Sequence, residues 1–257
     1  IKVKEVYMLP INRRNIIKEL LLENKSVVVT DLSKRFHVAE ETIRRDLKQL
    51  EEEGFLVRTY GGAFIQEGST NKVNYNLRME AYIKEKKIIA DKALKLIDNG
   101  DSIYLDESTT CFYLAKKMKN KRITVITNSQ IILNEISYFE NIDLISIGGY
   151  LSKETMSFTG KVALDSLSNL YVDKAFVSCR KCSLEGGVTD SISENAQIRQ
   201  MVLSHSNLSY LLVDDTKIDN TSLFKICDIK NLDGIICNKS FSSKWKEYCK
   251  NLKVNLY

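Results

Sequence analysis

From residue 81 onward the chain alternates short β-branched runs with amphipathic helical stretches, and this rhythm restricts the fold more than any other feature. The apolar runs are SIYLD (102–106), ITVIT (123–127), IDLISIGG (142–149), DKAFVSC (173–179), LSYLLVD (208–214), GIICN (234–238) and KVNLY (253–257). The helical pattern AYIKEKKIIADKALKLI precedes them, and FYLAKKM, QIILNEI, VALDSL, ENAQIRQMVLSH and SKWKEYCKN lie between them. LSYLLVD runs on to GIICN without such a pattern. Strands joined mostly by helices imply a mostly parallel sheet covered by helices, an α/β architecture. With 44% hydrophobic and 28% charged residues, 257 residues can build such a core and leave room for a second, smaller domain.

The first 62 residues have a different pattern. Pro10 opens a helix with Ile16, Ile17, Leu20 and Leu21 on one side, and Asn24 can close it. SVVV is a brief β-branched stretch. Thr30 is expected to cap a second helix, DLSKRF, with Asp31 favourably placed at its N-terminus. HVA connects it to a third helix over 40–53, which Gly54 stops. FLVRTY then suits a strand, and Gly61-Gly62 a turn. The predicted division is a winged helix-turn-helix over 8–63, a polar linker over 64–80 and an α/β domain over 81–257. The first seven residues show no secretory apolar region and are set aside as an extension.

On the third helix Ile43, Leu47 and Leu50 recur at i, i+4, i+7 and are expected to face the core. Thr42, Arg45 and Gln49 then lie along one exposed line, with Arg44 and Lys48 on its flank. Arginine can bond guanine or phosphate in a bidentate way, and lysine suits phosphate as a point charge. Arg58 and Tyr60 would sit on the wing. Charge alone does not argue for this. The net charge is +5, and residues 1–70 hold 12 Lys and Arg against 11 Asp and Glu. From charge alone such a face is more often simply a solvated one.

The ordered set of Arg13-Arg14, Asp31-Leu32, Phe36, Thr42-Ile43-Arg44-Arg45-Asp46-Leu47, Leu50-Glu51, Gly54, Leu56, Arg58 and YGGA at 60–63 resembles the N-terminal domain of the DeoR family of bacterial transcriptional regulators. Ala39 stands where that family usually has a capping serine, a change worth about 1 kcal/mol of local helix stability. The resemblance implies binding to double-stranded operator DNA by a homo-oligomer, a dimer or tetramer, in the cytoplasm. A repressor of a sugar or sugar-phosphate operon is the expected role.

In the larger half, hydroxyl- and glycine-rich turns follow three successive strands: DESTT at 106–110, TNS at 127–129 and GGY at 148–150. At the carboxyl edge of a parallel sheet such turns can hold a small polar or anionic ligand, although each alone is more often a helix cap. The resemblance continues here, to an effector domain similar to ribose-phosphate isomerase, and covers residues 10 to 240. It implies a phosphorylated sugar or polyol as effector. Ser108, Thr109 and Thr110 would hold its phosphate, and Asn128, Ser129, Gly148 and Gly149 would line the cleft. Asp106, Glu194 and Lys217 would meet hydroxyls or orient the loops.

A sugar-phosphate isomerase or deaminase with an ancillary helical domain is the alternative. The turn at 179–183, CRKCS, lacks the catalytic aspartates such isomerases place there, so no catalytic residues are expected. Arg180 and Lys181 either attract a phosphorylated ligand or point into water. Cys179 and Cys182 form a lone C-x-x-C. With only two histidines and no second pair it lacks a zinc ligand set, and one thiol is expected half-buried beside an exposed one. Six scattered cysteines suit a reducing compartment. No cofactor, metal or membrane span is expected. His205 is expected at a helix end, Met201 and Val202 in the core, and Trp245 as a partly buried anchor.

Overall fold

A computed structural model describes residues 8–64 and 71–257. The expectations for the first seven residues and for 65–70 lie outside the described residues. The chain divides after Ile83 into two units.

In the first unit α1 (Pro10–Asn24) starts with proline at N1 and ends at Lys25 in the left-handed region. Next come β1 (Ser26–Val28), α2 (Val29–Phe36) and α3 (Glu40–Glu52). Two short strands follow, β2 (Val57–Arg58) and β3 (Gly62–Phe64). The three strands pair antiparallel in the order β1-β3-β2, so SVV closes the wing sheet. Ile17, Leu21, Ile43, Leu47 and Leu50 are at most 1% exposed and form the core with Phe55 and Leu56. Gly54 ends α3 at φ 77°, and Phe55 N–H donates back to Leu50 O at 2.8 Å. This 6→1 bond and the Gly54-to-Glu51 bond make a Schellman stop, as Gly54 implied. Ala39 occupies the N-cap of α3 without a side-chain bond, and the helix forms regardless.

Two local expectations are corrected. Thr30 does not cap α2; the helix begins at Val29 with Val28 at the N-cap, because Val28 is still extended within β1. The stretch read as linker contains α4 (Asn71–Glu80). Its Leu77 is fully buried in the first unit's core, so those residues belong to that fold.

In the second unit α5 (Ile83–Leu94) leads into β4 (Ser102–Leu105), α6 (Thr109–Ala115), β5 (Ile123–Thr127), α7 (Gln130–Ile136) and β6 (Ile142–Ser146). A hairpin of β7 (Tyr150–Ser152) and β8 (Ser157–Thr159) precedes α8 (Lys161–Leu167) and β9 (Val172–Val177). After β10 (Lys181–Ser183) and β11 (Gly187–Asp190) come α9 (Ser193–Ser204), β12 (Ser206–Val213), β13 (Phe224–Cys227), β14 (Gly234–Cys237), α10 (Ser243–Leu252) and β15 (Asn255–Leu256). The seven expected strands form one parallel sheet, β15-β14-β12-β9-β4-β5-β6. Every residue of β14 is buried, as are four consecutive residues of β9, which requires cover on both faces. The hairpin β7–β8 and the small sheet β10-β11-β13 were not legible in the alternation. Trp245 is fully buried rather than partly so, with its indole N–H donating to Asp219 at 2.7 Å. His205 caps the end of α9 and stacks on Tyr171. Among the described residues, no helix is long and apolar enough to cross a membrane.

The strand order reverses between β4 and β9. From β4 the chain winds outward through β5 and β6, and from β9 through β12, β14 and β15. The crevice beyond the carboxyl ends of β4 and β9 is therefore a topological switch point, the usual ligand position in open parallel sheets.

Candidate functional site

In the first unit, burial of Ile43, Leu47 and Leu50 fixes which side of α3 meets solvent. Arg45 is 81% exposed and Lys48 64%. Arg44 lies toward the wing, in a groove it shares with Glu51, Arg58, Thr59 and Tyr60. Thr42 is half-buried at the start of α3, and Gln49 is exposed and donates to Glu53 at 3.1 Å. Tyr60 projects fully at the wing's turn. Arg58 donates both its amide and its Nε to Glu51, at 2.9 and 2.7 Å, which ties the wing to α3. That contact holds the Glu51 carboxyl below its ordinary range.

Each cation on α3 has an acid one turn away: Arg44 with Glu40 at 2.7 Å, Arg45 with Glu41 at 3.9 Å, Lys48 with Glu52 at 3.8 Å. Exposed pairs of this kind contribute only about 0.3–0.5 kcal/mol, so a phosphate can replace the acid at little cost. Arg13 and Arg14 do something else. They hold the buried Asp46, at 2.5 and 3.5 Å, and lock α1 against α3. The TIRRDL run thus divides by role: Ile43, Asp46 and Leu47 anchor the helix, and Arg44 and Arg45 remain on the surface.

In the second unit the expected residues gather around a guanidinium that sequence reasoning missed. Arg199, on α9, is 4% exposed and bonds three carboxylates: Asp106 at 2.7 Å, Glu107 at 2.6 Å and Asp190 at 2.5 Å. Its signal was a basic residue inside the stripe Asn195, Ile198, Arg199, Val202, whose spacing marks a buried face. Asp106, wholly buried, also accepts from Ser108 N–H at 3.0 Å and Ser178 N–H at 2.7 Å. Those bonds span the switch point between the ends of β4 and β9. Burial works to raise the Asp106 pKa, but Arg199 and these hydrogen bonds outweigh it and hold the carboxyl below its usual value. Glu107 goes the other way. Burial and the charges of Asp106 and Asp190 overcome Arg199 and raise it to about 7. One cation cannot neutralise three buried carboxylates, and Glu107 is the member that keeps its proton most readily.

Asn128 joins this cluster, with Nδ2 donating to Glu107 and to Phe158 O, both at 3.4 Å, and Oδ1 accepting from Tyr104 at 2.9 Å. Ser129 caps α7 through Ile132 N–H, and Ser108 caps α6 through Cys111 N–H at 3.1 Å. Thr109 and Thr110 are buried, and Thr110 Oγ1 has no partner among the described residues. Lys217 reaches Ser178 Oγ at 3.3 Å and Asp214 at 3.5 Å, which places its ammonium beside the same switch point. Gly148 and Gly149 have φ of 63° and 118°. A Cβ on Gly149 would stand 2.8 Å from Thr159 O, so this turn is glycine because β8 and α8 pack against it. Glu194 stands apart: it is exposed, and its bond is to Ser193. Its neighbour Asn195 is buried instead, with Oδ1 unpartnered among the described residues.

At the CRKCS turn both Cys179 and Cys182 are buried, which corrects the expectation of one exposed thiol. Strand β10 carries Cys182 inward against Val188 of β11. Lys181 donates to Thr216 O at 2.9 Å beside Lys217, and Arg180 is half-buried.

A family model described as a DeoR-like helix-turn-helix domain matches residues 13–68. A second, the DeoR C terminal sensor domain, matches residues 82–239. The Bacillus subtilis HTH-type transcriptional regulator YulB, itself uncharacterized, is 34% identical over 249 residues, 97% of this chain and 96% of its own. The L-fucose operon activator of Escherichia coli is 32% identical over 229 residues, 88% of this chain and 94% of its own. Among solved structures, a D-ribose-5-phosphate isomerase in complex with phospho-erythronic acid aligns over 52% of each chain at 20% identity and a TM-score of 0.38, too distant to carry chemistry. One family model falls on each unit, and the relatives match over 88–97% of the chain. The chain is a member of the DeoR family of transcriptional regulators.

Proposed function

We propose that this DNA-binding regulator represses a carbohydrate operon and that a phosphorylated sugar or polyol, bound at the switch point of the second unit, controls it. The observation that carries the DNA half is the outward face of α3, where Arg45 and Lys48 stand clear of the core beside a wing bearing Arg58 and Tyr60. Thr42, Arg44, Arg45 and Gln49 are the base-reading candidates, and Lys48, Arg58 and Tyr60 the backbone contacts. One short helix reads little sequence, so a homo-oligomer on paired half-sites follows from the geometry of such motifs.

The effector half is supported by the polar atoms assembled at the ends of β4, β5, β9 and β12. Lys217 offers charge to a phosphate, and Thr109 and Thr110 offer hydroxyls. Asp106 is fully occupied by Ser108, Ser178 and Arg199, so its role here is to hold the loops. Asn128, Ser129, Gly148 and Gly149 shape the walls, and Glu194 is left at the rim. The L-fucose operon activator of E. coli, a relative named for a sugar operon, supports a carbohydrate as the class of effector. The ligand alters DNA affinity only by binding one arrangement of the protein better than another.

Thermal-shift titration of the full chain with pentoses, hexoses and polyols, each beside its phosphate ester, tests the effector class. Stabilisation by a phosphate ester and not by its parent is expected. Preference for the parent, or a shift by neither, overturns the phosphate assignment. Turnover of a sugar phosphate above background would instead support the isomerase alternative, which the regulator family of the relatives disfavours.

A further inference from the structure

Opposite the buried stripe of α3, the residues turned furthest outward are Glu41, Arg45, Lys48 and Glu52, at i, i+4, i+7 and i+11. Their side chains are 66%, 81%, 64% and 64% exposed. Glu41 is the second residue of the helix, and so lies in the first turn. In helix-turn-helix proteins that turn meets the base edges in the major groove. A carboxylate there faces a surface of phosphates and base acceptors. It is favoured only against an exposed amino group, and in the major groove the donor matched to glutamate is the N4 amino group of cytosine.

A comparison within the same turn separates Glu41 from its neighbour. Glu40 lies on the flank, and its carboxylate is hydrogen-bonded to Arg44 at 2.7 Å. Its carboxylate is turned along the helix surface, off the outward line, and its side chain is 41% exposed against 66% for Glu41. Glu41 and Arg45 are 3.9 Å apart, an ion pair too long for a hydrogen bond. Both groups stay available, and they stand side by side on the face that meets DNA.

We propose that Glu41 is a specificity-determining residue that accepts a hydrogen bond from cytosine in each half-site, while Arg45 beside it donates to guanine. This rests on the DNA-binding reading of α3 and names the base it selects. Arginine contributes affinity toward any phosphate, whereas a glutamate on the same face weakens every contact except one with an amino group. The pair thereby trades general affinity for sequence discrimination.

The test is selection of duplexes from a random-sequence library by the full-length protein, followed by sequencing, for the wild type, Glu41→Gln, Glu41→Ala and Glu40→Ala. Circular dichroism and urea unfolding confirm that each variant is folded. The wild type is expected to enrich one cytosine per half-site, with substitution there weakening binding about tenfold. Glu41→Gln should move the preference at that position toward adenine, which glutamine reads. Glu41→Ala should flatten that position, leave the others intact and strengthen binding to unrelated DNA. Glu40→Ala should retain the cytosine. A Glu41→Ala protein that keeps every base preference overturns the proposal, as does a loss spread evenly over all positions, which would mean that Glu41 merely positions Arg45. A wild type that enriches no sequence overturns the DNA-binding reading itself, and this proposal with it.

Discussion

Glu107 and Arg199 show how single residues set the behaviour of the second unit. Glu107 titrates near 7 in the folded protein against a reference value of 4.5, so the native state holds its proton more tightly than the unfolded chain. The stabilisation this brings is complete below about pH 4.5 and is lost as pH rises through 7. Glu107→Gln removes this dependence. Between pH 5 and 8 the wild type should lose about 2–3 kcal/mol relative to that variant, read from urea unfolding at several pH values. Parallel pH profiles for the two proteins would contradict the assignment. Arg199→Met leaves Asp106, Glu107 and Asp190 buried without their cation. That variant should be destabilised by about 3–5 kcal/mol at pH 8 and by less at pH 5, where Glu107 is protonated. Neither residue stood out in the sequence. Asp106 did, through the family resemblance of the DESTT turn; the partner that explains it is 93 positions away on α9. Contacts of that range are set by topology, which periodicity does not encode.

At the scale of elements, the wing and α4 carry the clearest tests. Gly62 lies where β3 crosses β1, and a Cβ there would stand 2.1 Å from Val27 O. Gly61, by contrast, has open space around it. Gly62→Ala should therefore unseat the wing and weaken DNA binding, whereas Gly61→Ala should leave the fold intact; a mobility-shift comparison of the two checks this. The core helices were legible because Ile43, Leu47 and Leu50 keep strict helical spacing and Gly54 marks the stop. Helix α4 was not legible. In residues 71–80 the apolar Val73, Tyr75, Leu77 and Met79 fall at every second position, so no helical stripe shows, and Leu77 is the anchor that reaches the core. Its stability comes from tertiary contacts: Leu77 in the core and the Glu80 carboxylate on Lys18 of α1 at 2.5 Å. Lys18 also lies 3.6 Å from Glu53, at the end of α3, and over the Phe55 ring. Leu77→Ala should cost about 2–5 kcal/mol in the unfolding of the first unit, measured by denaturant titration. A cost near zero would return these residues to the status of a linker.

For the whole molecule, the two units differ in how much of each its sequence discloses. The parallel sheet was readable from strand and helix alternation because buried strands are continuous apolar runs. Its candidate site was readable only in outline: turns after β4, β5 and β6 were visible, but the Arg199 cluster beside the first two was not. The DNA-binding unit was the reverse. Its charge is nearly balanced and says little, yet the spacing of Ile43, Leu47 and Leu50 leaves Arg45 on the outside; the anchoring of Asp46 by Arg13 was not legible. The central claim is that the outward face of α3 reads DNA. The most direct measurement is fluorescence anisotropy of the full-length protein on its selected duplex, wild type against Arg45→Ala, over a range of salt. Arg45→Ala is expected to lose about 1–3 kcal/mol on the selected duplex and much less on unrelated sequence. Equal affinity of the two proteins for the selected duplex at every salt concentration would contradict the claim.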